Sequence, residues 1–98
     1  MKAVDFVKKF GWDATKSTLK NAPDWAYETA GLYDYADKYH SDAYPVQDYA
    51  LITDLKRLVK SHKIVQSFGG LQDAKTVSKM GKYYKYLKQA ITDVESCQ

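Results

Sequence analysis

The sequence predicts a mainly helical fold with a small two-stranded β element in its middle; an α+β arrangement stays open there. Three observations lead to this class. Apolar residues recur at helical spacing through both halves of the chain. Glycines and prolines fall between those stretches rather than inside them. A helix, a glycine turn and a second helix are also written twice: FVKKFG-WDATKSTLK, from Phe6 to Lys20, is echoed by IVQSFGGLQDAKTVSK, from Ile64 to Lys79, with one gap beside Gly70. Val7/Val65, Phe10/Phe68, Gly11/Gly69, Lys16/Lys75 and Lys20/Lys79 then coincide, and Trp12 stands opposite Leu71. Each copy has one apolar stripe to bury, so two helix-turn-helix hairpins packed together are the simplest arrangement.

The elements follow in order. Ala3 to Phe10 reads as a short amphipathic helix, with Ala3, Phe6, Val7 and Phe10 on one face. Gly11 stops it. A second helix starts at Trp12 or Asp13 and reaches Asn21, where Pro23 closes it, because the residue before proline avoids helical geometry. Trp12, Leu19 and Ala22 face inward. Trp25 to Thr29 and Gln47 to Thr53 carry enough aromatic and β-branched residues to pair as a hairpin. The stretch between them, residues 30–46, reads as a loop or one irregular helix. Thr53 then serves as an N-cap, with Asp54 placed to suit the helix dipole. DLKRLVKSHKIVQSF is the clearest helix, with Leu55, Leu58, Val59, His62 and Val65 inward and Lys56, Lys60 and Lys63 on another face. Gly69-Gly70 breaks it. Leu71 to Met80 forms the next helix, and Lys82 to Glu95 the last, with Tyr83, Leu87, Ala90, Ile91 and Val94 as its apolar stripe.

Ninety-eight residues at 45% hydrophobic content fit one compact domain spanning 1–98. A chain this short buries roughly two-thirds of its unfolded surface, so a partner or a homodimer would add to a modest stability. Cys97 is the single cysteine, so no internal disulfide forms; a reducing cytoplasm suits it, and it reads as an exposed thiol without a role. No apolar run approaches the ~20 residues of a bilayer span, and the first residues lack the apolar core of a signal peptide. No membrane partner is expected.

The net charge of +3 is unevenly laid out. Residues 1–23 carry +3, residues 24–54 hold seven acids against Lys38 alone for −6, and residues 55–98 carry +6. Basic ends around an acidic centre favour a specific protein contact over a uniformly basic nucleic-acid binder.

Few residues point to catalysis. His40, His62 and Cys97 share no metal-ligand spacing, and His62 falls on an apolar stripe, where a core histidine is the ordinary case. Asp34, Asp37, Asp42 and Asp48 lack the mid-loop glycine and closing glutamate of a calcium loop. There is no phosphate-binding loop, dinucleotide fingerprint or nucleophile elbow, and FGG is a turn. No enzyme, cofactor or metal is expected.

Two stretches remain. Six of the nine tyrosines lie between Tyr27 and Tyr49, mixed with aspartates, which is more ring surface than a small core can take. Tyrosine anchors interfaces at low entropy cost, and surrounding acids steer toward a basic partner. Tyr33, Asp34, Tyr35, Asp37 and Tyr39 are the contact this predicts. KYYKYLK interleaves bases with rings, as single-stranded nucleic-acid recognition requires. The helical spacing puts Tyr83 and Leu87 inside and Lys82, Lys85 and Lys88 outside. A nucleic-acid-binding face of Lys56, Lys60, Lys63, Lys82, Lys85 and Lys88 is therefore the second reading. The repeated hairpin lacks the Arg, Asn and Gln that read base edges on a recognition helix.

VDFVKKFGWDATKSTLKNAPDWA, ITDLKRLVKSHKIVQSFGGLQDAK and LKQAITDVESCQ resemble small accessory early-region proteins of lambdoid temperate phages and prophages. The Leu55 to Lys75 block is the most specific part, and the Tyr/Asp middle has no counterpart. The resemblance implies a phage-encoded protein made in the bacterial cytoplasm, acting on a host factor or defence system. It brings no catalytic residues. A non-catalytic protein that binds and modulates a host protein through an acidic Tyr/Asp surface is the function expected.

Overall fold

A computed structural model describes residues 2–28, 31–34, 38–41, 49–80 and 85–98. The chain is mainly helical, with five helices and a three-stranded antiparallel sheet among the described residues. In chain order these are α1 (Ala3–Asn21), α2 (Asp24–Glu28), β1 (Leu32–Asp34), β2 (Tyr39–His40), β3 (Tyr49–Leu51), α3 (Ile52–Ser67), α4 (Leu71–Ser78) and α5 (Lys85–Ser96). Two compact units divide it, Met1–Arg57 and Leu58–Gln98, with the boundary inside α3.

The first unit opens on α1, which is two helices joined at Gly11 (φ 85°, ψ 170°). That backbone region is essentially open to glycine alone, and the break falls where the sequence places it. The Thr15 hydroxyl donates to the Gly11 carbonyl at 2.8 Å and so occupies an acceptor at the start of the second segment. Ala3, Phe6, Val7 and Leu19 are buried as the periodicity predicts, together with Thr15 and Thr18. Phe10 is corrected: it is 40% exposed, because the last residue before the turn points off the inner stripe while its ring still meets Phe6 at 4.8 Å.

The expected strand at Trp25 to Thr29 is corrected over its described part. Residues Asp24–Glu28 form α2. Pro23 supplies the first carbonyl, which accepts from the Ala26 N–H at 3.0 Å, and Asp24 lies in the first turn, where its charge suits the helix dipole. Thr29 lies outside the described residues.

The sheet is built from three short strands in the order β2-β1-β3, not from two. Leu32 pairs with His40 on one side and Leu51 on the other, and Tyr33 lies between Tyr39 and Ala50. Of the expected strand at Gln47 to Thr53, Tyr49–Leu51 forms β3, Ile52 and Thr53 belong to α3, and Gln47 and Asp48 lie outside the described residues. Strands β1 and β2 occupy part of the stretch read as a loop or helix. The Ile52 N–H donates to the Gly31 carbonyl at 2.8 Å, which carries the ladder one residue into α3. The helix therefore begins at Ile52, one residue ahead of the expected Thr53 cap, and Thr53 lies within it. Ile52 and Leu55 are fully buried, and Ala26, Leu32 and Ala50 are buried in the same unit.

In the second unit α3 ends in a Schellman turn. The Gly70 N–H reaches the Val65 carbonyl at 3.2 Å and the Gly69 N–H the Gln66 carbonyl at 3.0 Å, with Gly69 left-handed at φ 97°. Gly70 follows at φ 109°, ψ −180° and leads directly into Leu71. Gly11 and Gly70 thus share one backbone state, each just before a helix. The gap in the sequence echo belongs beside Gly69, the extra turn residue. Thr15 and Ala74, three residues into their helices, are both fully buried. Helix α4 ends at Ser78, short of the expected Met80, and α5 is described from Lys85. Residues 81–84, including Tyr83, lie outside the described set.

Leu58, Val59, Val65, Ala74, Leu87, Ala90, Ile91 and Val94 form this unit's core. One polar pair is set within it. The Ser61 hydroxyl donates to Asp93 Oδ2 at 2.6 Å, and the Gln89 amide to Oδ1 at 3.1 Å. Cys97 is buried, at 7% exposure, which corrects the expected exposed thiol. Its N–H bonds the Val94 carbonyl at 3.0 Å, so the last turn of α5 holds it on the inner stripe.

Candidate functional site

The Tyr/Asp segment uses its described rings internally. Tyr33 is 7% exposed, with its ring edge-on to Phe6 at 5.6 Å and 83°. Tyr39 is half-buried, meets the Tyr33 ring at 5.0 Å and donates its hydroxyl to the Thr18 carbonyl. Tyr27 does the same toward the Leu19 carbonyl. These hydroxyls reach carbonyls near the end of α1, and the Leu19 carbonyl also accepts from the Ala22 N–H at 3.2 Å. The expectation of exposed phenols is therefore corrected at Tyr33 and Tyr39. Sheet alternation explains Tyr33, whose side of β1 faces Phe6. Asp34 is placed in β1 opposite Tyr49 by its backbone. Tyr35 and Asp37 lie outside the described residues.

Besides Phe10, Trp25 is an exposed ring among the described residues of this unit, at a position where the sequence predicts a strand. Helix α2 turns Ala26 fully inward and leaves Trp25 37% exposed, between the exposed Asp24 and Glu28. One edge of the indole is fixed. A Cβ on the buried Gly31 would stand 3.0 Å from Trp25 Cζ3 and 2.8 Å from Ala26 Cα. The Gly31 N–H also bonds the Ala26 carbonyl at 2.7 Å. Only hydrogen at this position lets the backbone lie so close beneath the ring. The signal available in the sequence was Pro23-Asp24, a helix start that the aromatic content of the next residues outweighed.

Two grooves open on the same unit. One, of about 650 Å³, is lined by Lys2, Asp5, Asp54 and Arg57, whose charges balance and select no ligand sign. The other, of about 410 Å³, is lined by Ser17, Thr18, Asn21, Tyr33 and Tyr39.

The lysine positions divide between the units. In the first, Lys56 is exposed with its Nζ 5.1 Å from the centroid of the Tyr27 ring. In the second, Lys60, Lys63, Lys85 and Lys88 are exposed; Lys82 lies outside the described residues. Tyr86 stands among them at 54% exposure, a ring the sequence reading did not single out.

His62 is half-buried on α3, with its Nε2 3.5 Å from the Gln66 amide nitrogen, and His40 is half-buried in β2. Among the described residues no three His, Cys, Asp or Glu side chains gather where a metal ion would be held. Among them, too, no helix is long and apolar enough to cross a membrane. Comparison with known proteins finds no matching family model, no similar curated protein and no similar solved structure.

Proposed function

We propose that this chain is a phage-encoded accessory protein that acts in the bacterial cytoplasm by binding and modulating a host protein, without catalysis. The contact is the acidic aromatic face of the first unit. The observation that carries this reading is Trp25, exposed between two exposed carboxylates and seated on Gly31. Tryptophan is the residue type most enriched among interface hot spots, and a ring already fixed along one edge loses little entropy on docking. Residues 24–54 carry −6, which steers encounter toward a basic patch on the partner. Occlusion of that patch, or mimicry of its anionic ligand, is the mode of action. Phage origin rests on the resemblance of the helical segments.

The test is capture of a host protein from bacterial lysate by the tagged chain. Wild type should retain a discrete host protein. Trp25→Ala and the charge reversal Asp24→Lys/Glu28→Lys should lose it. Equal retention by all three, or retention of nothing by wild type, overturns the reading.

A further inference from the structure

We propose that the outer arc of α2, made by Asp24, Glu28 and Trp25, takes an arginine side chain of the basic partner in preference to a lysine. This rests on the reading of that face as the host contact and names the chemistry of the group it meets.

The five residues of α2 divide by direction. Ala26 is fully buried, and Tyr27 is half-buried and gives its hydroxyl to the Leu19 carbonyl. At about 100° per residue the other three share one arc, in the order Asp24, Glu28, Trp25, and all three are exposed. The carboxylates are i, i+4 neighbours, and the indole is i, i+3 from Glu28. Among the described residues neither carboxylate forms an ion pair. Lys56 does not serve them, since its ammonium lies 5.1 Å from the centroid of the Tyr27 ring, on the opposite arc. The helix thus already seats one cation on a ring within the chain. Its outer arc sets two carboxylates beside a second ring, which is held along one edge at Gly31 and left 37% exposed for a partner to cover.

Charge alone does not choose between cations. Residues 24–54 carry −6 and attract an ammonium and a guanidinium alike. The ring makes the difference. A guanidinium is planar and weakly hydrated, so it can lie along an indole while its N–H fork donates to a carboxylate at the side. An ammonium is a compact, strongly hydrated charge that the carboxylates satisfy without the ring.

Calorimetric titration of the full chain with two end-capped peptides of equal length and charge, one alternating arginine with glycine and the other lysine with glycine, tests this. The arginine peptide should bind more tightly by about 2- to 5-fold for each guanidinium held on the ring. Trp25→Ala should remove the preference, and Trp25→Phe should keep part of it. Asp24→Asn/Glu28→Gln should weaken both peptides. Circular dichroism should show each variant folded. No binding of the arginine peptide, equal affinity of wild type for both peptides, or a preference that survives in folded Trp25→Ala would overturn the proposal. Lysate capture separates this from the host contact itself. Capture that depends on Trp25 while wild type binds both peptides alike overturns the arginine assignment alone. An arginine preference lost in Trp25→Ala, with no host protein captured, overturns the host contact alone.

Discussion

Gly31→Ala should destabilise the first unit by close packing alone. The added methyl carbon would stand 2.8 Å from Ala26 Cα, 2.9 Å from Ala26 Cβ and 3.0 Å from Trp25 Cζ3. Two of these atoms belong to a fully buried residue and cannot swing aside. Nor is the glycine backbone free to retreat, since its N–H bonds Ala26 at 2.7 Å and its carbonyl accepts from Ile52 at 2.8 Å. Overpacking of this kind costs about 1–3 kcal/mol. Strain on either hydrogen bond adds up to about 1 kcal/mol. The reduced entropy of the unfolded alanine chain offsets about 0.4–1 kcal/mol. The net loss is about 1–3 kcal/mol, or roughly 4–24 °C in Tm for a chain of this size. Urea and thermal unfolding measure it. Tryptophan fluorescence in a Trp12→Phe background should shift as well, because Trp25 must lift from its seat. A variant as stable as wild type, with unchanged emission, would refute the close approach.

Other perturbations separate backbone strain, polar burial and ring burial. Gly11→Ala and Gly70→Ala meet no atom within 4 Å, so each should cost only the strain of its backbone region, about 1–3 kcal/mol, and D-alanine at either site should restore stability in thermal melts. Ser61→Ala should cost about 1–3 kcal/mol in urea unfolding by stripping a donor from buried Asp93, with Asp93→Asn milder because it keeps an acceptor. Tyr33→Ala should lose about 3–5 kcal/mol, as for other buried rings, and Tyr39→Phe about 0.5–1.5 kcal/mol for its hydroxyl bond; calorimetry distinguishes the two.

The helical segments were legible where periodicity, glycine and proline agreed. Gly11 and Gly69-Gly70 marked turns, and Leu58, Val65, Leu87 and Ile91 marked inner faces that are buried in the fold. The middle was less so because its elements are two to five residues long, too short for a period to show. Trp25 reads as a strand residue by propensity, yet the start at Pro23 and the close contact at Gly31 make it helical. The start of α3 was misplaced for a similar reason, since a strand bond from Ile52 to Gly31 outranks the local Thr53 cap. At Tyr27 and Tyr39 the hydroxyls find carbonyls near the end of α1, a long-range use that no local pattern carries.

The affinity of a purified host partner for wild type and for Trp25→Ala tests the proposed contact most directly. A tryptophan that anchors the contact should cost at least about 2 kcal/mol when truncated, roughly 30-fold in Kd, and wild-type binding should weaken with added salt. An unchanged Kd for a folded Trp25→Ala chain would contradict it.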